Sequence, residues 1–193
     1  PWGRIVEHDL LPLRWVQVEI DFIQSLANIL ATAVESAESR TAQAAGAEFG
    51  QYALESNDLE ATVARAVEVA TQVLQTPMGT LCRFGGAGRW RVVNARGHVA
   101  SWVGEETPAV RQDDRDGDLV RVQDWRTEIR LVQPERERDA GVLSSLGVTL
   151  RVGDRCWAQL TVQDVQPRCW RRAEVDFLRS LANTLVAAVD RSI

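Results

Sequence analysis

The feature that most constrains this chain is a long-range repeat. Laid without gaps on the segment 155 positions later, Trp2 meets Trp157, Asp9 meets Asp164, Pro12 meets Pro167 and Trp15 meets Trp170. Glu19-Ile20-Asp21-Phe22 then falls on Glu174-Val175-Asp176-Phe177, and Ser25-Leu26-Ala27-Asn28 on Ser180-Leu181-Ala182-Asn183. Ungapped agreement of this length signals a duplicated structural unit. In the later copy Ala158, Leu160 and Val162 alternate with Trp157, Gln159 and Thr161, the period of a half-buried strand. Asp164 to Pro167 reads as a turn. Val175, Leu178, Leu181, Ala182, Leu185, Ala188 and Val189 then recur at three- and four-residue steps, the stripe of an amphipathic helix. The earlier copy carries the same stripe at Ile20, Ile23, Leu26, Ala27, Leu30, Ala33 and Val34.

The repeat sets the expected organisation. Residues 1–35 are the last strand and helix of a preceding domain whose remainder lies upstream, and residues 58–193 are the complete second domain. The opening Pro1-Trp2-Gly3-Arg4, without an initiator Met, fits an excised piece. The Ala-rich stretch 36–57 is a helical linker continuing the first helix and weakened at Gly46 and Gly50. Ser56-Asn57, with Glu60 downstream, resembles a capping box. It opens a helix marked by Leu59, Val63, Ala66, Val67, Ala70, Val73 and Leu74, which stops at Thr76-Pro77. Strands at 79–84 and 89–95 flank the turn Gly85-Gly86-Ala87-Gly88. Residues 97–118 are irregular, Leu119 to Val122 is a strand, and Trp125 to Val132 is a short helix. Strands at 142–152 and 155–163 turn at Gly153-Asp154. Successive hairpins bracketed by helices predict an α+β fold, with terminal helices covering one face of an antiparallel sheet.

Here the residues carry a family resemblance. Val142-Leu143-Ser144-Ser145-Leu146-Gly147-Val148-Thr149-Leu150, the Gly-Asp turn, Trp157-Ala158-Gln159-Leu160 and Trp170-Arg171-Arg172-Ala173-Glu174-Val175-Asp176-Phe177-Leu178 together resemble the second half of a GAF domain. Thr149, Ala158 and Arg171 depart from that pattern, which favours proline, glycine and a Ser/Thr helix cap there. The resemblance implies a GAF/PAS-like antiparallel sheet whose flanking terminal helices form a helical bundle.

Composition narrows the partners. Net charge is −5, a balance that argues against a nucleic-acid footprint, and all the positive charge is arginine. No stretch approaches the roughly 20 apolar residues of a membrane span, and no signal peptide opens the chain. Cys82, Cys156 and Cys169 form no CxxC and read as reduced thiols, which places the chain in the cytoplasm.

Several constellations fail on their chemistry. Gly85 to Arg89 lacks the Lys-Ser/Thr and following helix of a phosphate loop. Asp113 to Asp118 offers Gln112 and Gln123 where a calcium loop needs carboxylates. His8 and His98 are too few for a metal centre, and no metal site or catalytic set is expected. Bilin-carrying relatives use a Cys-His pair, and cyclic-nucleotide-binding ones a motif beginning Asn-Lys; both are missing. The irregular insert remains, with Arg91, Arg96, His98, Trp102, Arg111, Asp124, Trp125 and Arg126 as candidate contacts for an anionic or aromatic ligand of unknown identity. Residues 121–138 carry both signs of charge and read as a solvated face.

By resemblance, the chain is expected to be a non-catalytic sensory module of a tandem array. A small ligand would bias long helices that act on an output domain in the same polypeptide, by analogy a two-component histidine kinase, a cyclic-dinucleotide enzyme or a transcription activator. The alternatives are a ligand-free spacer and dimerisation domain, and a thiol-dependent free methionine-R-sulfoxide reductase. A parallel homodimer is expected through helices at 19–52, 58–75 and 175–193, with Leu26, Leu30, Val34, Leu59, Val63, Leu181, Leu185 and Val189 in the contact.

Overall fold

Capping shows most directly how local sequence sets the helices. A computed structural model describes residues 16–86, 88–108 and 118–192. Helix α1 runs Gln17–Glu55 and α4 runs Arg172–Ser192, so their first residues are 155 positions apart. Both open alike: the Val16 N–H donates to Glu19 Oε2 at 3.0 Å, and the Arg171 N–H to Glu174 Oε2 at 2.7 Å. The glutamate at the third helical position thus satisfies the N-cap amide, so Arg171 can stand where a hydroxyl cap was expected. Helix α2, Leu59–Val73, is capped by Asp58, which accepts from the Ala61 N–H at 3.0 Å. The expected cap at Ser56-Asn57 is therefore corrected: Ser56 Oγ binds the backbone of Asp58 and supports the turn before the cap.

Strand β1 spans Met78–Gly86, β2 Arg89–Gly97, β3 Glu106–Pro108, β4 Leu119–Val122, β5 Ser144–Val152 and β6 Arg155–Asp164. The described strands form one sheet in the order β3-β2-β1-β6-β5-β4, antiparallel at every pairing. The two predicted hairpins thus lie side by side, joined through β1 and β6. Strand β3 is an addition: three residues of the insert pair with β2, Trp90 opposite Thr107.

Two glycines fix the outline. A Cβ on Gly79 would come within 2.5 Å of Thr71 Cγ2, so the glycine lets α2 pack closely on the sheet. Gly97 has φ +78°, and a Cβ there would lie 1.8 Å from the Pro77 carbonyl oxygen. Only glycine can turn β2 into the insert at that point.

The strand period sorts the side chains. Gly79 and Leu81 of β1, Leu160 and Val162 of β6, and Leu146 and Leu150 of β5 face the helices, the last four opposite α2 and α4 stripes that include Val63, Leu178, Leu181, Leu185 and Val189. Burying each large aliphatic side chain contributes roughly 1.5–3 kcal/mol. Val63, Leu181, Leu185 and Val189, expected in a dimer contact, are buried within the protomer, while Leu59 is only partly covered.

Contacts divide the chain into two units, Pro1–Ala42 and Gln43–Ile193. The second unit begins inside the expected linker: Phe49 and Ala53 are buried in it, and Arg191 Nη2 donates to the Ala53 carbonyl at 2.7 Å. In the first unit residues 17–42 are helical, and Ile20, Phe22, Leu26, Ile29, Leu30 and Val34 stand exposed. The expected strand at the start of the chain lies outside the described residues.

Candidate functional site

The face of the sheet away from the helices carries Met78, Thr80 and Cys82 of β1, Ala95 and Val92 of β2, Gln163, Thr161 and Gln159 of β6, and Ser145, Gly147 and Thr149 of β5. The insert covers part of it. Trp102 ends a 3₁₀ turn at Ala100–Trp102, and its ring joins Val99, Val92, Cys82 and Met78 in a buried apolar cluster with Val120, Val122, Trp125 and Val142. Trp125 is held by two bonds: its Nε1 donates to Ser145 Oγ at 3.0 Å and its backbone N–H to the Leu143 carbonyl at 2.8 Å.

No helix forms at Trp125–Val132, which corrects the sequence expectation. Asp124 Oδ1 takes the Arg126 N–H at 3.0 Å and Glu128 Oε1 takes the Arg130 N–H at 2.7 Å. Side-chain bonds of this i, i+2 kind compete with helix hydrogen bonds and favour turns. The short helix is instead α3, Glu135–Asp139.

Helix α3 supplies the polar centre of the site. The Arg136 guanidinium stacks on the Trp102 ring, 4.6 Å from its centroid. Its side chain is 19 % exposed, and its Nε and Nη1 are buried without a hydrogen-bond partner of ordinary geometry, while the guanidinium also favours the charged form of the nearby Cys82 thiol. The nearest carboxylate oxygen, Glu105 Oε2, is 3.9 Å from Nη1, beyond hydrogen-bond reach. Glu137 receives a side-chain hydrogen bond from Gln163, and burial raises its carboxyl to about 7 against the pull of Arg136. Gln163 itself is 1 % exposed, and its Oε1 has no partner. A buried donor or acceptor left unpaired costs about 1–3 kcal/mol. Glu137 connects the two side chains, since its carboxyl takes the Gln163 hydrogen bond and feels the Arg136 charge.

The residues expected to form the site separate. Trp102 and Trp125 face the cluster. Arg96 lies on the opposite face, its Nη1 paired with Glu68 Oε1 of α2 at 2.9 Å. Hydrogen bonding from Arg65, with Arg96 nearby, lowers the Glu68 carboxyl below its usual range. Arg91 pairs with Glu106 at 3.2 Å across β2 and β3. Asp124 and Arg126 form an exposed two-pronged pair at 2.9 and 2.7 Å, and His98 is exposed. Arg111, and the acidic run apart from Asp118, lie outside the described residues.

Sequence reasoning passed over Arg136, Glu137 and Gln163. The first two belong to a stretch of alternating charge read as solvated, and one inward turn of a five-residue helix leaves no periodic signal. Gln163 was detectable in principle, since strand alternation places it on the face of Thr161 and Gln159.

The cysteines are free and dispersed in role. Cys82 is buried, and burial raises its thiol to about 11. Burial also raises Cys156, while Cys169 is exposed beside Gln123. A thiol held protonated is a poor nucleophile. Among the described residues no group of His, Cys, Asp and Glu is arranged to hold a metal ion.

A family model of the GAF domain matches residues 58–189. The chain belongs to the GAF family. Solved structures agree on the fold. The phycoerythrobilin-bound GAF domain of a cyanobacterial phytochrome superposes with a TM-score of 0.68 at 16 % identity, covering 80 % of this chain and 97 % of that one. The GAF domain of an Acinetobacter phosphoenolpyruvate-protein phosphotransferase gives 0.65 at 16 % identity, over 78 % and 93 %. The free methionine-R-sulfoxide reductase of Neisseria meningitidis, solved with its substrate, gives 0.68 at 14 % identity, over 80 % and 91 %. No curated protein matches the chain. In this GAF domain the polar cluster lies between the central strands and the insert.

Proposed function

We propose that this GAF domain is a non-catalytic regulatory module that takes a small ligand between β1, β6 and the insert. The observation that carries the reading is that Arg136 Nε and Nη1 and Gln163 Oε1 are buried without partners, while the Glu137 carboxyl takes a hydrogen bond from Gln163 and feels the Arg136 charge. Protein interiors pair such groups, so a site that gathers several of them is built for something that arrives later. Two proteins of the same fold support it, one solved with a bilin bound and one with its substrate. In this reading Trp102, a candidate ligand contact from the sequence, lines the site, and Arg136 takes the place of the exposed arginines as the contact for an anion.

We also assign residues 1–35 to the end of a preceding GAF-like domain in a tandem array. The shared opening of α1 and α4 supports this, since the same glutamate closes the same backbone amide 155 positions apart. In α4 the matching stripe covers a sheet, and in α1 Leu26, Leu30 and Val34 are exposed. A sister sheet upstream or a second copy of the chain would cover them, and a homodimer through this helix would pass ligand binding to an output domain in the same cytoplasmic polypeptide. No described helix is long and apolar enough to cross a membrane.

Ligand that binds the native state raises its stability by mass action. A thermal-shift screen of nucleotides, tetrapyrroles and small carboxylates should yield a hit that Arg136→Met and Trp102→Ala both weaken. A hit indifferent to both substitutions places the site elsewhere and sinks this reading.

A further inference from the structure

We propose that residues 41–50 of α1 form a helical joint, at which the first unit reorients against the second while the chain stays helical. Helix α1 is unbroken from Gln17 to Glu55 and crosses the border between the units at Ala42 and Gln43. Gly46 and Gly50 lie just past that border. Neither has a positive φ, and a Cβ built on either meets nothing within 4 Å. No turn and no close approach therefore calls for glycine at these two places, unlike Gly79 and Gly97, where a Cβ would strike Thr71 or the Pro77 carbonyl. Alanine would fit, and it fills Ala42, Ala44, Ala45 and Ala47 around them. A glycine in place of alanine weakens a helix interior by about four- to five-fold.

A third weak point lies at the border itself. The Thr41 hydroxyl donates to the Ala37 carbonyl at 3.0 Å, a back-bond of the kind that loosens and bends helices. The two ends of the softened stretch are held differently. Beyond Gly46 the second unit takes hold: Phe49 and Ala53 are buried, and the Arg191 guanidinium donates to the Ala53 carbonyl at 2.7 Å. Gly46 lies between that hold and the border, and Gly50 loosens the first turn of the hold itself. Before the border Ile20, Leu26, Leu30 and Val34 stand exposed, so this end takes its direction from whatever covers them. A stiff helix of 39 residues would force both ends to move as one. A soft stretch between them lets each end be set by its own contacts.

The test uses the 193-residue chain, and its variants keep the fold because the added methyl groups meet open space. Residual dipolar couplings of the backbone N–H groups are measured for residues 20–38 and for α2 and α4. In the unaltered chain the couplings of 20–38 should be scaled down by about two-fold against those of α2 and α4, with 13Cα shifts that remain helical. Gly46→Ala and Gly50→Ala together should bring the two sets onto one scale. They should also slow amide exchange at 44–50 by about twenty-fold, the product of the two substitutions. The comparison is made inside one chain, so it reads the same in a monomer and in a dimer. One common scale in the unaltered chain overturns the proposal. So does a difference in scale that the double variant leaves in place. Loss of helical shifts over 20–38 overturns it as well, because the first part of α1 would then be melting and not moving about a joint.

Discussion

Arg168 is the side chain whose loss should cost this domain most for its size. It follows β6 and reaches the end of α2, the first turn of α4 and Asp164 of β6 itself. Its Nη2 donates to the Leu74 carbonyl at 2.6 Å and to Glu174 Oε1 at 2.8 Å. Its Nη1 lies 3.3 Å from the Gln75 carbonyl and 3.4 Å from Asp164 Oδ2, and the guanidinium stacks 4.8 Å from the Trp170 ring centre. Leu74 and Gln75 end α2, and Gln75 sits at φ +49°, where no helical bond remains for these carbonyls. Arg168→Met keeps the aliphatic stem and removes every one of these bonds. A hydrogen bond to a charged group contributes about 1.5–3 kcal/mol. Breaking a buried ion pair by removing one partner costs about 3–5 kcal/mol. The Arg168 side chain is 23 % exposed and that of Glu174 7 %, so water screens the cation side, and Glu174 keeps its bond from the Arg171 N–H. The loss therefore belongs at the low end, about 3 kcal/mol. Urea unfolding of Arg168→Met, Glu174→Gln and the double variant measures it, with an unchanged slope as the sign that two-state unfolding persists. The two single losses should exceed the double loss by about 1–2 kcal/mol. A single loss under about 1 kcal/mol, or strict additivity, would refute the account of Arg168 as the link between α2 and α4.

Two further outcomes follow from the structure. Burial raises the Glu137 carboxyl from 4.5 to about 7, so the folded state holds a proton that the unfolded chain releases first; stability from this group is complete below pH 4.5 and is lost as pH rises through about 7. Thermal unfolding should show a decline on the order of 3 kcal/mol across that window, flattened in Glu137→Gln; an equal decline in the variant would refute the assignment. The carboxyls lowered by arginine partners, Glu68 and Glu128 among them, lose their contribution only at still lower pH and do not mask it. Light scattering should find a dimer of the 193-residue chain that Leu26→Arg dissociates, because Leu26 stands exposed in the first unit; a dimer indifferent to this change would remove α1 as its contact.

The sequence by itself determined the fold class and the elements that carry a clear period, though not β3, α3 or the turns at 125–132. Alternation in Ala158, Leu160 and Val162 and the three-four stripe from Val175 to Val189 are properties of strand and helix geometry, and both appear in the structure where the pattern put them. The repeat even marked the equal opening of α1 and α4, because capping is decided within one helical turn. The site was legible only in its apolar half. Trp102 and Trp125 could be expected inside because large aromatic surface seeks burial, whereas no local rule separates Arg136 from Arg91 or Arg126. All three stand among charged neighbours in sequence. Which arginine turns inward depends on where α3 lands on the sheet, and that depends on the Trp125–Ser145 bond, on β3 adding to β2, and on Gly97 turning the chain beneath Pro77. Those contacts join residues up to 20 positions apart, so tertiary structure alone decided them: a charged side chain is buried when the covering elements leave it no route to water, and sequence spacing does not encode that route.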